Sequence, residues 1–340
     1  MQAIRAQELA NEFLKNCNSE IVILEPNQIP NTQQGLELLG DSNAWKELSY
    51  RFITQLQDHT MMELSLNRLR IKSCYRVRAF LEYDDCIQSL LTAANENEST
   101  DISIFHLNML LIESNLSSGR LSEAMEKLNA LEIDQNTNSS DIIDLILCKD
   151  IMTTNILLKS NKPKTAIKHL LETINKNDNT KNYKQQLYFY LIRLLIQYGL
   201  LKSAKYYSNL LIDDDINNDN GMVLLTKALV AFASNDIDNA SKMFFNVSQK
   251  TSNIEIINIA LNNYSICNVY MKQISTAIET LEQLIQSNPV QHMIDPIIFN
   301  LATLYDLNSN PTISTEKKKS LSIVAKQYNR GDIDTKSFRI

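Results

Sequence analysis

At 340 residues, 44% of them hydrophobic, the chain is long enough for one large domain or two ordinary ones. Six glycines and six prolines are too few for the many tight turns of a β-sandwich or barrel. A net charge of −6, from 33 basic and 39 acidic residues, argues against counterion-release binding to nucleic acid. The cysteines (Cys17, Cys74, Cys86, Cys148, Cys267) are five, scattered, and without a CxxC pair. That fits a reduced intracellular chain better than a disulfide framework or a zinc site.

In chain order, residues 1–16 read as a charged helix without the apolar core of a signal peptide. Residues 20–35, with Pro26 and Pro30, lack a helical period and read as a connector. Residues 43–57, which hold Trp45, read as a second helix. No window approaches the 18 or so uncharged apolar residues a membrane span needs, so no direct membrane insertion is expected.

From there a pattern recurs: a small residue with a large apolar one four positions later, on a helix that follows an apolar helix. It is carried by Cys86 and Leu90, Ala124 and Leu128, Ala166 and Leu170, Ala204 (with Ser208 in the large place), Ala240 and Phe244, and Ala277 with Leu281 and Leu284. The small anchors are 38, 42, 38, 36 and 37 residues apart. This is the second-helix pattern of a tetratricopeptide-like unit, in which two helices cross so closely that only a small side chain fits. The excess over the ideal repeat sits in polar loops such as 132–141 and 213–221. Apolar first helices precede the anchors at 102–116, 185–199, 221–234 and 258–271, with 3.6-residue rather than two-residue spacing. Gly119 and Gly199 fall at the turns, and Asp236 and Ser275 are expected as second-helix N-caps. Near the end, Asp295 reads as a cap with Pro296 at the first helical position, followed by a last helix at 315–328 and a tail.

The fold class expected is therefore all-α, a tetratricopeptide-like helix-pair solenoid of about six repeats with a C-terminal capping helix pair. The expected division is residues 1–42 as N-terminal helix and connector, 43–289 as repeats, and 290–340 as cap and tail.

No catalytic constellation is present in the sequence. His59, His106, His169 and His292 are far apart, and no GxGxxG, GxxxxGK[ST] or GxSxG motif occurs. The acidic loop at 213–221 fails as a calcium loop: counting from Asp215, position six is Asn220 rather than Gly, and position twelve is Thr226 rather than Glu. It reads as a solvated connection. The Glu316–Lys319 run reads as a solvated helix turn rather than a site for an acidic partner. A carboxylate clamp of the kind found in co-chaperones is not supplied either: Lys227 stands alone, and Asn262 and Asn263 lack an accompanying arginine. No catalytic residue, cofactor, metal or small-molecule substrate is expected.

The C-terminal third carries more. Asn262, Asn263 and Cys267 lie on one helix, and Phe299, Asn300, Leu301, Thr303, Tyr305, Asp306 and Leu307 on the next but one. A helix with Lys317, Lys318 and Leu321 follows, then a tail with Gly331, Asp332 and Phe338. This ordered set resembles subunit 12 of the TRAPP (transport protein particle) complex, a tetratricopeptide-repeat family. Weaker likeness extends upstream to about Trp45. The position of Phe338 departs from the family pattern, and the long polar N-terminal extension of larger members is not seen. The resemblance implies a non-catalytic scaffold or adaptor that binds other TRAPP subunits in ER-to-Golgi transport, cytoplasmic and peripheral to ER–Golgi intermediate or Golgi membranes. The other class the residues allow is a generic tetratricopeptide adaptor for a peptide or protein of another cytosolic complex. Candidate partner-binding residues are Tyr188, Arg193, Leu225 and Asn262 on first helices, with Asn263, Asn300, Tyr305, Lys317 and Lys318 from the resembling stretch. Cys86, Ala124, Ala166, Ala204, Ala240 and Ala277 are the expected repeat-packing residues.

Overall fold

A computed structural model describes residues 2–17, 84, 87, 88, 91, 92, 101–132, 139–176, 181–213, 221–328 and 333–340. The expected connector at 20–35, the helix at 43–57, the anchor Cys86, the loop residues 214–220 and the tail residues Gly331 and Asp332 lie outside the described residues.

All regular structure among the described residues is helical. The helices are α1 (Gln2–Lys15), α2 (Asp101–Ser117), α3 (Leu121–Ala130), α4 (Ser139–Lys159), α5 (Pro163–Lys176), α6 (Lys181–Gln197) and α7 (Leu201–Asp213). They continue as α8 (Gly221–Ala233), α9 (Ile237–Lys250), α10 (Ile254–Tyr270), α11 (Ile274–Ser287), a single turn α12 (Pro289–His292), α13 (Asp295–Asn308) and α14 (Pro311–Gln327). A 3₁₀ turn over Thr335–Phe338 closes the described chain. Two compact units result, residues 55–216 and residues 1–54 with 217–340. The fold is the tetratricopeptide-like, all-α helix-pair architecture that the spacing predicts.

The hairpins are built by one repeated turn. Five residues before each alanine anchor the backbone enters the left-handed region: Gly119 (φ 79°), Asn161 (57°), Gly199 (71°), Asn235 (65°) and Lys272 (64°). The following N–H reaches back to a carbonyl five residues earlier: Arg120 to Asn115, Lys162 to Leu157, Leu200 to Leu195, Asp236 to Ala231 and Gln273 to Asn268. This is the Schellman closure of a helix C-terminus, which satisfies carbonyls the first helix leaves unpaired. The anchor alanine then donates its N–H to the carbonyl of that same residue, opening the second helix. One turn thus fixes where the first helix stops and the second starts.

The anchors sit at the crossings. Ala124, Ala166, Ala204, Ala240 and Ala277 are all fully buried, as are Leu128, Leu170, Phe244 and Leu281. In the unit of residues 55–216, α2 pairs with α3, α4 with α5 and α6 with α7, and each second helix packs on the next first helix. In the other unit, α8–α9 and α10–α11 pair likewise, α13 packs on α11, and α14 on α13. Stacking is required because one hairpin cannot bury both apolar faces alone.

Three boundary expectations shift, and one cap holds without its side-chain bond. The first turn of α11 begins at Ile274 after Gln273, so Ser275 lies inside the helix rather than capping it. Asp236 is the N-cap of α9 but makes no side-chain cap bond. Ile294, not Asp295, is the N-cap of α13. The Asp295 carboxylate instead accepts the Asp334 N–H at 2.8 Å and the Ser337 hydroxyl at 2.7 Å, pinning the tail to the start of α13. The last helix also starts earlier than expected, at Pro311, because Asn310 caps it through the Ile313 N–H at 2.9 Å.

Candidate interaction surface

On α10 the exposed and half-buried positions Glu255, Ile259, Asn262, Asn263, Ile266 and Tyr270 form one stripe at helical spacing. The opposite side is core, with Ile256, Ala260 and Cys267 buried against α8 and α9. Burial in that apolar core pushes the Cys267 thiol up to about 11, which leaves it an inert packing group. On α13 the equivalent stripe carries Phe299, Asn300 and Leu307 over the buried Leu301 and Leu304. One hydrogen bond joins the two stripes: Asn300 Nδ2 donates to Asn262 Oδ1 at 2.9 Å. Two residues 38 positions apart, both singled out in the sequence, are therefore brought together.

This face is apolar beyond what the core requires. Tyr270 is 66% exposed, with its ring edge-on to Phe232 of α8 at 5.6 Å between centroids. Ile259 is exposed, and its carbonyl accepts from the Asn263 side chain at 2.8 Å. Phe299 is 47% exposed, and Arg339 from the tail lies over its ring at 5.3 Å. Aromatic rings held rigid by neighbours and presented to solvent are the groups that most often anchor protein–protein interfaces.

The remaining candidates divide by burial. Leu225 is 2% exposed and packs in the core with Ala240 and Phe244, so it cannot meet a partner directly. Tyr305 is likewise buried; its hydroxyl donates to Glu282 at 2.7 Å, and Lys317 lies over its ring at 4.8 Å. Burial and the Glu282 carboxylate push the Tyr305 phenol well up, so it stays a neutral donor. Lys318 is buried too, pairing with Asp306 at 2.9 Å and donating to the Arg339 carbonyl at 2.8 Å. Hydrogen bonds from Ser314 and Lys318 hold the Asp306 carboxyl below its ordinary range. Glu316 is buried as well, so the Glu316–Lys319 run is not a solvated turn but half of the cap's polar lining. The sequence conceals this because charged residues at helical spacing look the same on a wet face and on an ion-paired one.

In the other unit, Tyr188 tilts against Tyr207 of α7 at 5.8 Å. Arg193, five residues on, is exposed and on a different side of α6, so these two are not brought together. Arg193 instead lies near enough to lower the Tyr190 phenol, against a larger upward push from burial.

The surface aromatic pair missed in the sequence is the exposed Tyr270 and the half-buried Phe232 beside it. Their signal was present as an apolar first helix in each case, but which apolar residue faces out depends on the crossing geometry. No cluster of three or more His, Cys, Asp or Glu that could hold a metal occurs among the described residues. Nor is any described helix long and apolar enough to cross a membrane.

No family model matches the chain. Over 133 residues, 38% of its length, the chain is 29% identical to trafficking protein particle complex subunit 12 of Mus musculus. It is 26% identical over 133 residues to the same subunit of Homo sapiens. The matched stretch spans 16% and 17% of the length of those curated relatives. Among solved structures it is similar to the APC/C hetero-tetramer Cut9–Hcn1, with a TM-score of 0.47 and 14% identity over 89% of this chain and 55% of that one. It is also similar to a tetratricopeptide repeat protein from Parabacteroides merdae, with a TM-score of 0.47 and 10% identity over 86% of this chain and 96% of that one. The chain is a tetratricopeptide-like helical repeat protein that, along the matched stretch, is similar to trafficking protein particle complex subunit 12.

Proposed function

We propose that the chain is a non-catalytic scaffold or adaptor subunit of a TRAPP vesicle-tethering and Rab-exchange complex acting in ER-to-Golgi transport. The observation that carries this reading is the 133-residue similarity to subunit 12, since a repeat fold alone names no partner. In this role the chain works in the cytoplasm, peripheral to ER–Golgi intermediate or Golgi membranes. It takes no cofactor and turns over no substrate; its task is to hold other subunits together.

The contact surface is the first-helix face of α10 and α13, built on Ile259, Asn262, Asn263, Tyr270, Phe299 and Asn300. Burying the Tyr270 and Phe299 rings supplies the affinity, and the Asn262–Asn300 pair supplies polar register. The purified chain mixed with a purified TRAPP core should co-elute with it on size exclusion. Tyr270→Asp together with Phe299→Asp should abolish co-elution while leaving the helical circular dichroism signal unchanged. Elution as two separate peaks with the unaltered chain would refute the assignment.

A further inference from the structure

Charge is unevenly spread along the chain. Residues 159–212 hold ten basic and two acidic side chains, a local +8, so the rest of a chain of net charge −6 carries −14. Nine of the ten are lysines, and Arg193 is the exception. The segment runs from the end of α4 through α5, α6 and α7, all within the unit of residues 55–216. Its surplus positive charge is therefore gathered on two successive helix pairs.

The same turn sets each second helix, so positions equidistant from the anchors Ala166 and Ala204 lie on one side of the stack. Two residues before these anchors stand Lys164 and Lys202, and two after them Lys168 and Tyr206, all exposed and opposite the buried alanines. Lys205 is exposed beside them. In the other hairpins the same two places hold Ser122 and Glu126, Asp238 and Lys242, or Ser275 and Glu279, so cations do not accumulate there. Glu172 pairs with Lys168 at 3.7 Å, whereas Lys164, Lys202 and Lys205 have no ion pair among the described residues. Tyr206 departs from the repeats in a second way. Its place is taken by an exposed charge in the other four alanine-anchored hairpins, yet here a ring is 61% exposed. That ring stands edge-on to Tyr207 at 5.2 Å, and Tyr207 tilts against Tyr188 of α6 at 5.8 Å, so it is held in place. Leu200, 47% exposed at the head of α7, adds apolar surface.

We propose that the solvent side of α5 and α7 is a membrane-contact surface, which adsorbs to anionic lipid headgroups without inserting a helix. Lysine-rich, arginine-poor charge favours this occupant. Guanidinium forks are the groups that grip carboxylates and nucleic-acid phosphates two bonds at a time, whereas ammonium point charges are drawn to a diffuse anionic sheet. A tyrosine among lysines suits the headgroup layer, where the ring meets apolar surroundings and the hydroxyl stays wet. The acidic remainder of the chain does not forbid the contact, because charges more than about 8 Å from the lipid surface are largely screened at physiological salt. The surface is separate from the α10–α13 face and does not rest on the assignment to TRAPP.

The test is co-sedimentation of the full chain with vesicles of phosphatidylcholine and phosphatidylserine in a two-to-one ratio, against vesicles of phosphatidylcholine alone. The unaltered chain should bind the mixed vesicles about tenfold more tightly and lose that preference as salt is raised. Lys202→Glu with Lys205→Glu should abolish the preference, and Tyr206→Ser should weaken binding about threefold. Lys15→Glu with Lys242→Glu makes the same change in net charge at exposed positions elsewhere, and should bind as the unaltered chain does. Every replaced side chain is exposed, so the helical circular dichroism signal should be the same in all four chains. No preference for the mixed vesicles, or an equal loss in the two charge-reversed chains, would overturn the proposal. Tighter binding at the same salt to an oligonucleotide or to polyglutamate would also overturn it, since the occupant would then be a nucleic acid or an acidic protein.

Discussion

The repeats and the C-terminal cap solve the same problem, how to join one helix to the next, by different means. In the repeats the joint is geometric: a left-handed residue, a Schellman closure and, five residues on, a buried alanine. In the cap the joint is chemical. Tyr305 bonds Glu282, Ser314 and Lys318 converge on Asp306, Arg339 donates to Thr303 at 2.6 Å, and Asp295 holds the tail. A geometric joint tolerates almost any surface residue and so repeats. A polar network must be satisfied in full, or the unpartnered member becomes a cost.

If the contrast is right, the two regions respond to different insults. The largest effect belongs to the anchors. Ala277→Leu overpacks a crossing where the side chain is fully buried, and should cost about 1–3 kcal/mol in urea unfolding. In the cap, Lys318→Met keeps the stem but removes the donors to Asp306 and to the Arg339 carbonyl. It should cost about 1–2 kcal/mol, most of it cancelled by added Asp306→Asn in a double-mutant cycle.

Acid should separate the regions further. The Asp306 carboxyl is lowered from its ordinary 3.8, so the unfolded chain binds a proton more readily. The stability Asp306 contributes is therefore complete above that value and disappears as pH falls through the lower folded one. Asp306→Asn should flatten that part of the stability curve. His292 acts earlier. It is buried, with Nδ1 2.6 Å from Asn258 Oδ1, and burial lowers its folded value below the ordinary 6.5. The unfolded chain again takes up the proton first, so stability should start to fall as pH drops through 6.5, and His292→Gln should remove that early loss.

The smallest effects test the turn itself. Gly199 has φ 71° and open space around the missing Cβ, so Gly199→Ala carries only a backbone penalty of about 1 kcal/mol. Lys272 occupies the same conformation with a side chain, so Lys272→Gly should instead leave stability unchanged or raise it by up to about 1 kcal/mol. Thermal melts of the pair, with a loss at Gly199 and none at Lys272, would verify that both positions are one device.

These pairs explain what was legible in the sequence. The alanine anchors and helix pairs were readable because the turn imposes a fixed interval between left-handed residue and anchor, whatever the loop lengths. Gly119 and Gly199 marked two of the turns, whereas Asn161, Asn235 and Lys272 filled the same place without a glycine to announce it. The cap misled in the other direction. Lys318 and Glu316 carry the composition of a wet surface yet are buried, because their partners arrive from α13, the tail and α1. Phe299 has the composition of a core residue and is exposed, since helical period cannot tell the solvent side from the packed side until neighbouring helices are placed. Asn262 and Asn300 were chosen singly; only the packing of α10 beside α13 makes them a pair.

The most direct test of the scaffold assignment is affinity purification of the tagged full chain from its own cells, with mass spectrometry of the proteins retained. The account predicts TRAPP core subunits in the eluate of the unaltered chain and their loss from the Tyr270→Asp, Phe299→Asp chain. An eluate rich in other proteins and free of TRAPP subunits would contradict it, and would leave the generic adaptor as the better description.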